Sequence, residues 1–120
     1  MLEILPDLPT GVLGFEAVGE IHSDDYRDTL LPALDAAAKE GELRLVHVLG
    51  DRFEGYSPGA SWQDAKLGVE HHGKWHRAAL VTDIDWVRHL TSVFGWAVPG
   101  EVKVFSLAER DAAVAWAAAD

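Results

Sequence analysis

Apolar and polar positions alternate along this chain in a way that predicts short strands separated by helices. Two β-type stretches come first, and the turn residues Pro6, Asp7, Pro9 and Gly11 suit a reversal of direction between them. We therefore expect the first two strands to form an antiparallel pair. The five predicted strands are Leu2 to Leu5, Gly11 to Gly19, Leu43 to Leu49, Arg77 to Val81 and Val102 to Phe105.

Four segments carry apolar residues at helical spacing, one after the second strand and one after each later strand. Ser23 is the predicted N-cap of the first helix, with Asp24 and Asp25 in its first turn, and Gly41 ends that helix. The apolar faces of the other three helices are predicted to be Trp62, Ala65, Val69 and His72; then Trp86, Val87, Leu90, Val93 and Phe94; and finally, within Leu107 to Ala118, Ala108, Ala112, Ala115, Trp116 and Ala119.

The predicted element order is ββαβαβαβα, which indicates an α/β fold. Helices between successive strands favour parallel pairing, so we expect a single open, mostly parallel sheet with an antiparallel N-terminal strand. We find no internal boundary and treat residues 1–120 as one domain. In such sheets ligands bind beyond the carboxyl ends of the strands. That rule selects three segments: 51–61, 82–86 and 106–108.

Composition narrows the classes of function. Twenty acidic and ten basic residues give a formal net charge of -10, which disfavours binding to nucleic acid. The chain has no cysteine, so disulfides and thiolate chemistry are excluded. The N-terminus lacks a signal-peptide pattern, and no apolar run approaches the roughly 18 residues that span a bilayer. We expect a cytoplasmic protein, with peripheral contact to a membrane surface left open.

Several segments resemble a known family. They are IHSDDYRDTLLPAL, FEGYSPGASWQDAKLG, KWHRAALVTDIDWVRHLTSVFG and PGEVKVFSLAERDAAVAW, and together they cover almost the whole chain. The most specific parts are the turn Val81-Thr82-Asp83 followed by Trp86, and a closing Phe-x-x-Pro-Gly-Glu pattern that is altered in spacing here. The chain thus resembles the SpoIIAA-like (STAS/SEC14-domain) family of small stand-alone bacterial proteins.

The resemblance implies an α/β fold similar to anti-anti-sigma factors and to SEC14 domains, and it carries no catalytic motif. It implies two alternative roles. STAS proteins bind partner proteins under the control of a phosphorylatable Ser or Thr, whereas SEC14 domains hold an apolar ligand.

An apolar ligand site is predicted at the carboxyl ends of the strands. Its candidate walls are the aromatic residues Phe53, Tyr56, Trp62 and Trp86. Asp83 and Lys66 are the candidate polar groups, because small-molecule sites combine apolar walls with a few convergent polar side chains. The alternative for Trp62 and Trp86 is that they fill the core between helix and sheet, since both lie on helical stripes.

A regulatory hydroxyl is predicted near the same place, at Ser57 or Ser61. A phosphoryl group there would meet the free N–H groups of a helix N-terminus. The Asp-Ser pair typical of phosphorylated STAS proteins is absent, however, because Ser57 follows Tyr56. The alternative is that Ser57 is an N-cap with Pro58 at the first helical position.

The apolar linker 95–100 contains Trp96 and Val98, and we expect another surface to pack on it and shield it from solvent. A neighbouring helix, a second subunit, a gate over a pocket and a membrane surface all suit it, so we expect either internal packing or a homodimer ahead of the others.

The histidines and carboxylates give weaker indications of a metal site or of acid-base catalysis. His71, His72 and His76 lack the i, i+4 or i, i+2 spacing of a zinc site, and His47 is predicted to be a hydrogen-bonded core residue. The carboxylates nearest the crevice, which are Asp51, Glu54, Asp83 and Asp85, also suit turns and helix starts. We expect no metal and no cofactor.

These observations together predict a non-enzymatic binding module that holds an apolar or lipid-like small molecule. The first alternative is a protein-interaction switch that binds a partner protein, and the second is a small-molecule hydrolase.

Overall fold

The computed structural model describes residues 1–58, 75–94 and 100–119, with side chains for all of these except 90–94. Its elements follow the predicted order, although the predicted helix around 62–72 lies outside the described residues. They are β1 (Leu2–Ile4), β2 (Val12–Ile21), α1 (Ser23–Asp25), a π-helical turn (Tyr26–Leu30), α2 (Leu31–Glu40), β3 (Leu43–Tyr56), β4 (Trp75–Thr82), α3 (Asp85–Phe94), β5 (Glu101–Phe105), a 3-10 turn (Leu107–Glu109) and α4 (Arg110–Ala118).

The five strands form one sheet whose spatial order, β1-β2-β3-β4-β5, is also the order along the chain. β1 runs antiparallel to β2, with Leu2 opposite Ala17, and every other pair is parallel. Parallel neighbours need a crossover connection, and helical segments supply it after β2 and after β4. The predicted fold class is confirmed.

The sheet buries a separate apolar cluster on each face. On the helix-pair face, Tyr26, Leu30 and Leu34 of the first helical segment and Val87 of α3 pack against the sheet. On the final-helix face, α4 packs against Val46, Val48 and Val81. The buried residues of α4 are Ala113 and Ala117, so the alanine face predicted for this helix is wrong. Alanine occurs on several sides of α4, and composition alone does not select the buried one.

Two arginines fix the carboxyl end of α4. Arg44 Nη1 donates to the carbonyl oxygens of Ala117 at 2.8 Å and of Ala119 at 2.6 Å. Arg77 Nη1 donates to the Trp116 carbonyl at 2.7 Å, and its guanidinium carbon lies 4.9 Å from the centre of the Trp116 ring. The last carbonyls of a helix have no partner within it, and cations there complement the helix dipole. Strand residues thus hold α4 on the sheet.

The third strand is longer than predicted. The predicted strand ends at Leu49, but β3 continues to Tyr56, beyond its last pairing with β4 at Thr82. The extension pairs with the end of β2, where Ile21 lies opposite Tyr56, and the register shifts on both sides of Gly19. Gly19 has a φ of 68° and Gly55 a φ of 117°, values that favour glycine. The segment predicted as a crevice loop is therefore, as far as Tyr56, a bulged strand.

The first helical segment also begins one residue earlier than predicted. His22 is the N-cap, and Ser23 is the first helical residue. The Asp25 carboxylate accepts a hydrogen bond from the His22 backbone N–H at 2.8 Å. An acidic side chain at the third helical position therefore stabilises this helix start from inside the helix.

Candidate functional site

A shallow cleft of about 190 Å³ opens at the carboxyl end of the sheet. Its walls come from the extension of β3 and from the turn between β4 and α3. The residues that line it are Phe53, Glu54, Gly55, Ile84 and Trp86. Both of these segments were predicted to form the functional crevice.

Three of the predicted aromatic residues form one cluster at this cleft. The Phe53 and Tyr56 ring centres are 5.1 Å apart in an edge-to-face arrangement, and the Phe53 and Trp86 centres are 6.3 Å apart. These separations are typical of interacting aromatic pairs. Trp86 is 50% exposed, whereas its neighbour Val87 is 6% exposed. Val87, not Trp86, therefore fills the core at the start of α3.

The turn that presents Trp86 is fixed by the buried Thr82. Its hydroxyl oxygen accepts a hydrogen bond from the Ile84 N–H at 3.1 Å. Its carbonyl oxygen accepts one from Arg88 Nη1 at 2.9 Å. Side-chain bonds of this kind hold a strand-to-helix turn in one conformation, so the indole is held at the rim of the cleft.

Asp83 has a different role from the one predicted for its own helix. Its carboxylate accepts a hydrogen bond from the Leu107 N–H at 3.0 Å, at the start of the final helical segment. Asp83 does not line the cleft. The contact joins two of the three predicted carboxyl-end segments, and it satisfies a helix N–H that has no partner inside the helix.

The same helix start is capped locally as well. Glu109 Oε1 accepts hydrogen bonds from the Ser106 N–H at 2.9 Å and the Ser106 hydroxyl at 3.0 Å. The bond from the Ser106 backbone, followed by that from its hydroxyl, lowers the pKa of the Glu109 carboxyl. The segment 106–108 is thus occupied with helix capping in this structure.

Charge around the cleft is predominantly negative. Glu54 lines it, and Asp85 adjoins Trp86; both are exposed. Within the described residues neither carboxylate has an ion-pair partner. The nearby arginines are already engaged: Arg52 Nη2 lies 2.8 Å from Glu3 and 3.2 Å from Glu16, and Arg88 binds Thr82. None of the described residues that line the cleft carries a positive charge.

His47 lies in the middle of β3, opposite Phe15 on one neighbouring strand and Leu80 on the other. Strand alternation places it on the helix-pair face with Leu45 and Leu49. Its Nε2 atom is buried and has no hydrogen-bond partner among the described residues. Burial lowers the pKa of His47 to about 4. The hydrogen bond predicted for His47 is thus not seen at Nε2, and the ring is neutral at pH 7.

The other candidate residues are only partly described. Ser57 donates its backbone N–H to the Ile21 carbonyl at 2.8 Å and directly precedes Pro58, where helical conformation begins. His76 Nδ1 lies 3.2 Å from Glu42. Seven candidates lie outside the described residues: Ser61, Trp62, Lys66, His71, His72, Trp96 and Val98. Among the described residues, no group of three His, Asp or Glu side chains is placed to hold a metal ion.

Sequence reasoning missed Ile84 as a cleft residue. Its signal was present, because it is the one apolar residue in the polar turn Thr82-Asp83-Ile84-Asp85. Gly55 was missed because the strand extension that brings it to the cleft was not predicted.

Comparison with known proteins bears on the family. The family model described as SpoIIAA-like matches residues 12–118. The chain belongs to the SpoIIAA-like family. A similar solved structure is that of an uncharacterized protein from the DUF3478 family with a SpoIIAA-like fold, from Shewanella loihica PV-4. It is 27% identical, with a TM-score of 0.73, over 97% of this chain and 91% of that chain. None of the curated proteins matches this chain.

The SpoIIAA-like family and fold indicate a regulatory or binding module at most, and they assign neither ligand nor partner. Across the described ranges, none of the helices is both long enough and apolar enough to cross a membrane.

Proposed function

We propose that this SpoIIAA-like protein is a non-enzymatic binding module that holds an apolar or lipid-like small molecule in the cleft at the carboxyl ends of its strands. The observation that carries the proposal is the half-exposed Trp86, whose ring lies tilted beside that of Phe53 at the rim of a concave surface. Apolar walls with a few polar groups are the usual composition of small-molecule sites.

The surroundings of the cleft support recognition without chemistry. Asp83, the carboxylate that suited a catalytic base best by sequence, is bound to the Leu107 N–H. His47, whose Nε2 atom is buried, lies on the sheet face and does not line the cleft. A general base has to reach its substrate within hydrogen-bonding distance, and neither group is placed for that at the cleft.

Native mass spectrometry of freshly purified protein tests the proposal. We expect extra mass of a few hundred daltons that disappears on denaturation, and its loss in Trp86→Ala. Ile4→Ala is the matched control, because Ile4 is also a large exposed apolar residue, 64% exposed, but lies on β1 away from the cleft. A ligand-free wild type, or a ligand that Trp86→Ala retains, would contradict the proposal.

The second candidate function is a protein-interaction switch at Ser57. It is favoured by the position of Ser57, which directly follows Tyr56 of the aromatic cluster and precedes a helix start. A phosphoryl group there would add negative charge at the edge of the cleft. Under this alternative Ser57→Asp changes the binding of a partner protein, whereas Ser57→Ala does not; under the ligand proposal both variants keep the bound mass.

A cytoplasmic location, a homodimer through the segment that contains Trp96 and Val98, and ligand contacts from Trp62 and Lys66 stay predictions.

A further inference from the structure

The cleft combines aromatic rings with a carboxylate that has no ion-pair partner among the described residues. Phe53 and Trp86 are among its lining residues, Tyr56 packs against Phe53, and Glu54 is part of the lining as well. We infer that the group held there is a small organic cation, an ammonium nitrogen that carries alkyl substituents. This inference rests on the proposed function and specifies the chemical class of its ligand.

The rings favour a cation because the face of an aromatic ring carries negative potential. A cation within about 6 Å of a ring centre is attracted, most strongly to tryptophan. The Phe53 and Trp86 rings both line the cleft with their centres 6.3 Å apart, close enough together to contact one alkylammonium group, while Tyr56 packs edge-to-face against Phe53 at 5.1 Å. Alkyl substituents on the nitrogen also suit the apolar surface of Phe53 and Ile84.

The charges around the cleft favour the same ligand class. Glu54 and Asp85 are exposed carboxylates with no ion-pair partner among the described residues. Arg52 and Arg88 are engaged with other groups. An anionic ligand would meet repulsion from Glu54, and the protein's net charge of -10 adds to it.

The size of the cleft limits the ligand. Sites for drug-sized molecules typically measure about 300 to 1,000 Å³, whereas this cleft measures about 190 Å³. It suits a compact group such as trimethylammonium. A phospholipid head group carries a phosphate beside its ammonium, which Glu54 disfavours, so we assign the site to the alkylammonium group of a ligand that has no neighbouring phosphate.

A matched pair of probes tests the charge. Choline and 3,3-dimethylbutan-1-ol have the same shape but differ in whether nitrogen or carbon occupies the centre. Both are titrated into the ¹⁵N-labelled protein, and the indole N–H signal of Trp86 is followed after assignment with Trp86→Phe. We expect choline to shift that signal and to bind about fivefold more tightly than the neutral alcohol. Phosphocholine should bind more weakly than choline.

Carboxylate variants locate the effect. Glu54→Gln should reduce the preference for choline by about half or more and leave the affinity for the neutral alcohol unchanged. Glu40→Gln is the control, since Glu40 is an exposed carboxylate at the end of α2 and does not line the cleft. It should alter neither affinity.

The outcomes separate the two proposals. Equal or tighter binding of the neutral alcohol would overturn the cation inference and leave the binding module standing. Tighter binding of phosphocholine than of choline would overturn the assignment to an alkylammonium group without a neighbouring phosphate. If neither choline nor the alcohol shifts the Trp86 signal, the inference fails, and the binding module is then judged by the mass spectrometry alone.

Discussion

The two faces of the sheet differ in the side-chain contacts that they make with the elements packed on them. On the final-helix face, side chains from β3, from β4 and from the turn after β4 bind α4 and the 3-10 turn that precedes it, through Arg44, Arg77 and Asp83. Each face holds a buried nitrogen without a described partner, Arg77 Nε on the final-helix face and His47 Nε2 on the helix-pair face, but burial lowers the pKa of His47, and Trp86 at the edge of its face is half exposed. Buried polar groups are normally paired. The contrast indicates that contacts on the final-helix face stabilise the fold, whereas the edge of the helix-pair face carries the binding surface.

The largest expected effect concerns His47 and acid. The pKa of His47 is about 4 in the folded protein, against 6.5 for an ordinary histidine. Between these values the unfolded chain binds more protons, so the free energy of unfolding falls as the pH drops from about 6.5 to about 4, by roughly 3 kcal/mol. Above pH 6.5 this contribution is fully present. Urea denaturation at several pH values measures it.

His47→Leu is the variant that isolates this effect. It should be at least as stable at pH 7, because it removes a buried polar atom without a described partner, and it should lose the decline above pH 4. Glu109 and Asp28, whose carboxyl pKa values are lowered, act only below about their ordinary values of 4.5 and 3.8. If the free energy of unfolding of His47→Leu still falls between pH 6.5 and about 4 as in the wild type, His47 is not the cause of the acid sensitivity.

The next effect concerns the carboxyl end of the final helix. Arg44→Ala removes two hydrogen bonds from a charged donor, to the carbonyls of Ala117 in α4 and of Ala119 just after it, and should lower the free energy of unfolding by about 2 kcal/mol. Arg27→Ala is the control, because Arg27 binds only the adjacent Asp28 at the surface in the described contacts. It should have no measurable effect. Equal midpoints of urea denaturation for the two variants would show that the Arg44 hydrogen bonds do not stabilise the packing of α4 on the sheet.

Asp83 tests the other end of the final helical segment. Asp83→Ala leaves the Leu107 N–H without its partner and should cost about 1 kcal/mol. Asp83→Asn keeps an accepting oxygen and should recover most of that loss. If both variants are equally destabilised, charge rather than the hydrogen bond holds this contact; thermal unfolding followed by circular dichroism distinguishes the cases.

The smallest effect on stability is expected at Trp86. Because the indole is half exposed, Trp86→Ala should change the free energy of unfolding by less than about 1 kcal/mol. Trp116→Ala should cost substantially more, since that ring lies 5.9 Å from Phe105 and 4.9 Å from the Arg77 guanidinium. A large loss of free energy of unfolding in Trp86→Ala would mean that the residues of the cleft also stabilise the fold.

Local sequence patterns were sufficient to predict the order of strands in the sheet, but they did not predict the extension of β3 to Tyr56. Apolar strands separated by helical stripes predicted the parallel order, and the structure has it. The predicted third strand ends at Leu49, before Gly50 and Asp51, because glycine and aspartate favour turns. In this chain β3 continues past both, and Gly19 and Gly55 adopt positive φ values in the bulged pairing. A bulge and a turn use the same residue types, and only the partner strand distinguishes them.

The cleft shows a similar division. Phe53, Tyr56 and Trp86 were identified because aromatic residues at the carboxyl ends of strands are unusual for a solvated surface. The half exposure of Trp86 was not predicted, since its helical stripe reads the same whether Trp86 or Val87 faces the core. The contact from Asp83 to Leu107 spans 24 residues, and no local pattern encodes it.

The agreement between strand order and chain order has a consequence for folding kinetics. Each strand pairs with its immediate predecessor, so the loops that close during assembly of the sheet are short for a parallel architecture, and such local contacts favour fast folding. The final helix is the exception, because Arg44 and Ala117 are 73 residues apart. Its docking is therefore expected late, after the transition state, so that weakening its anchors accelerates unfolding and leaves the rate of folding nearly unchanged.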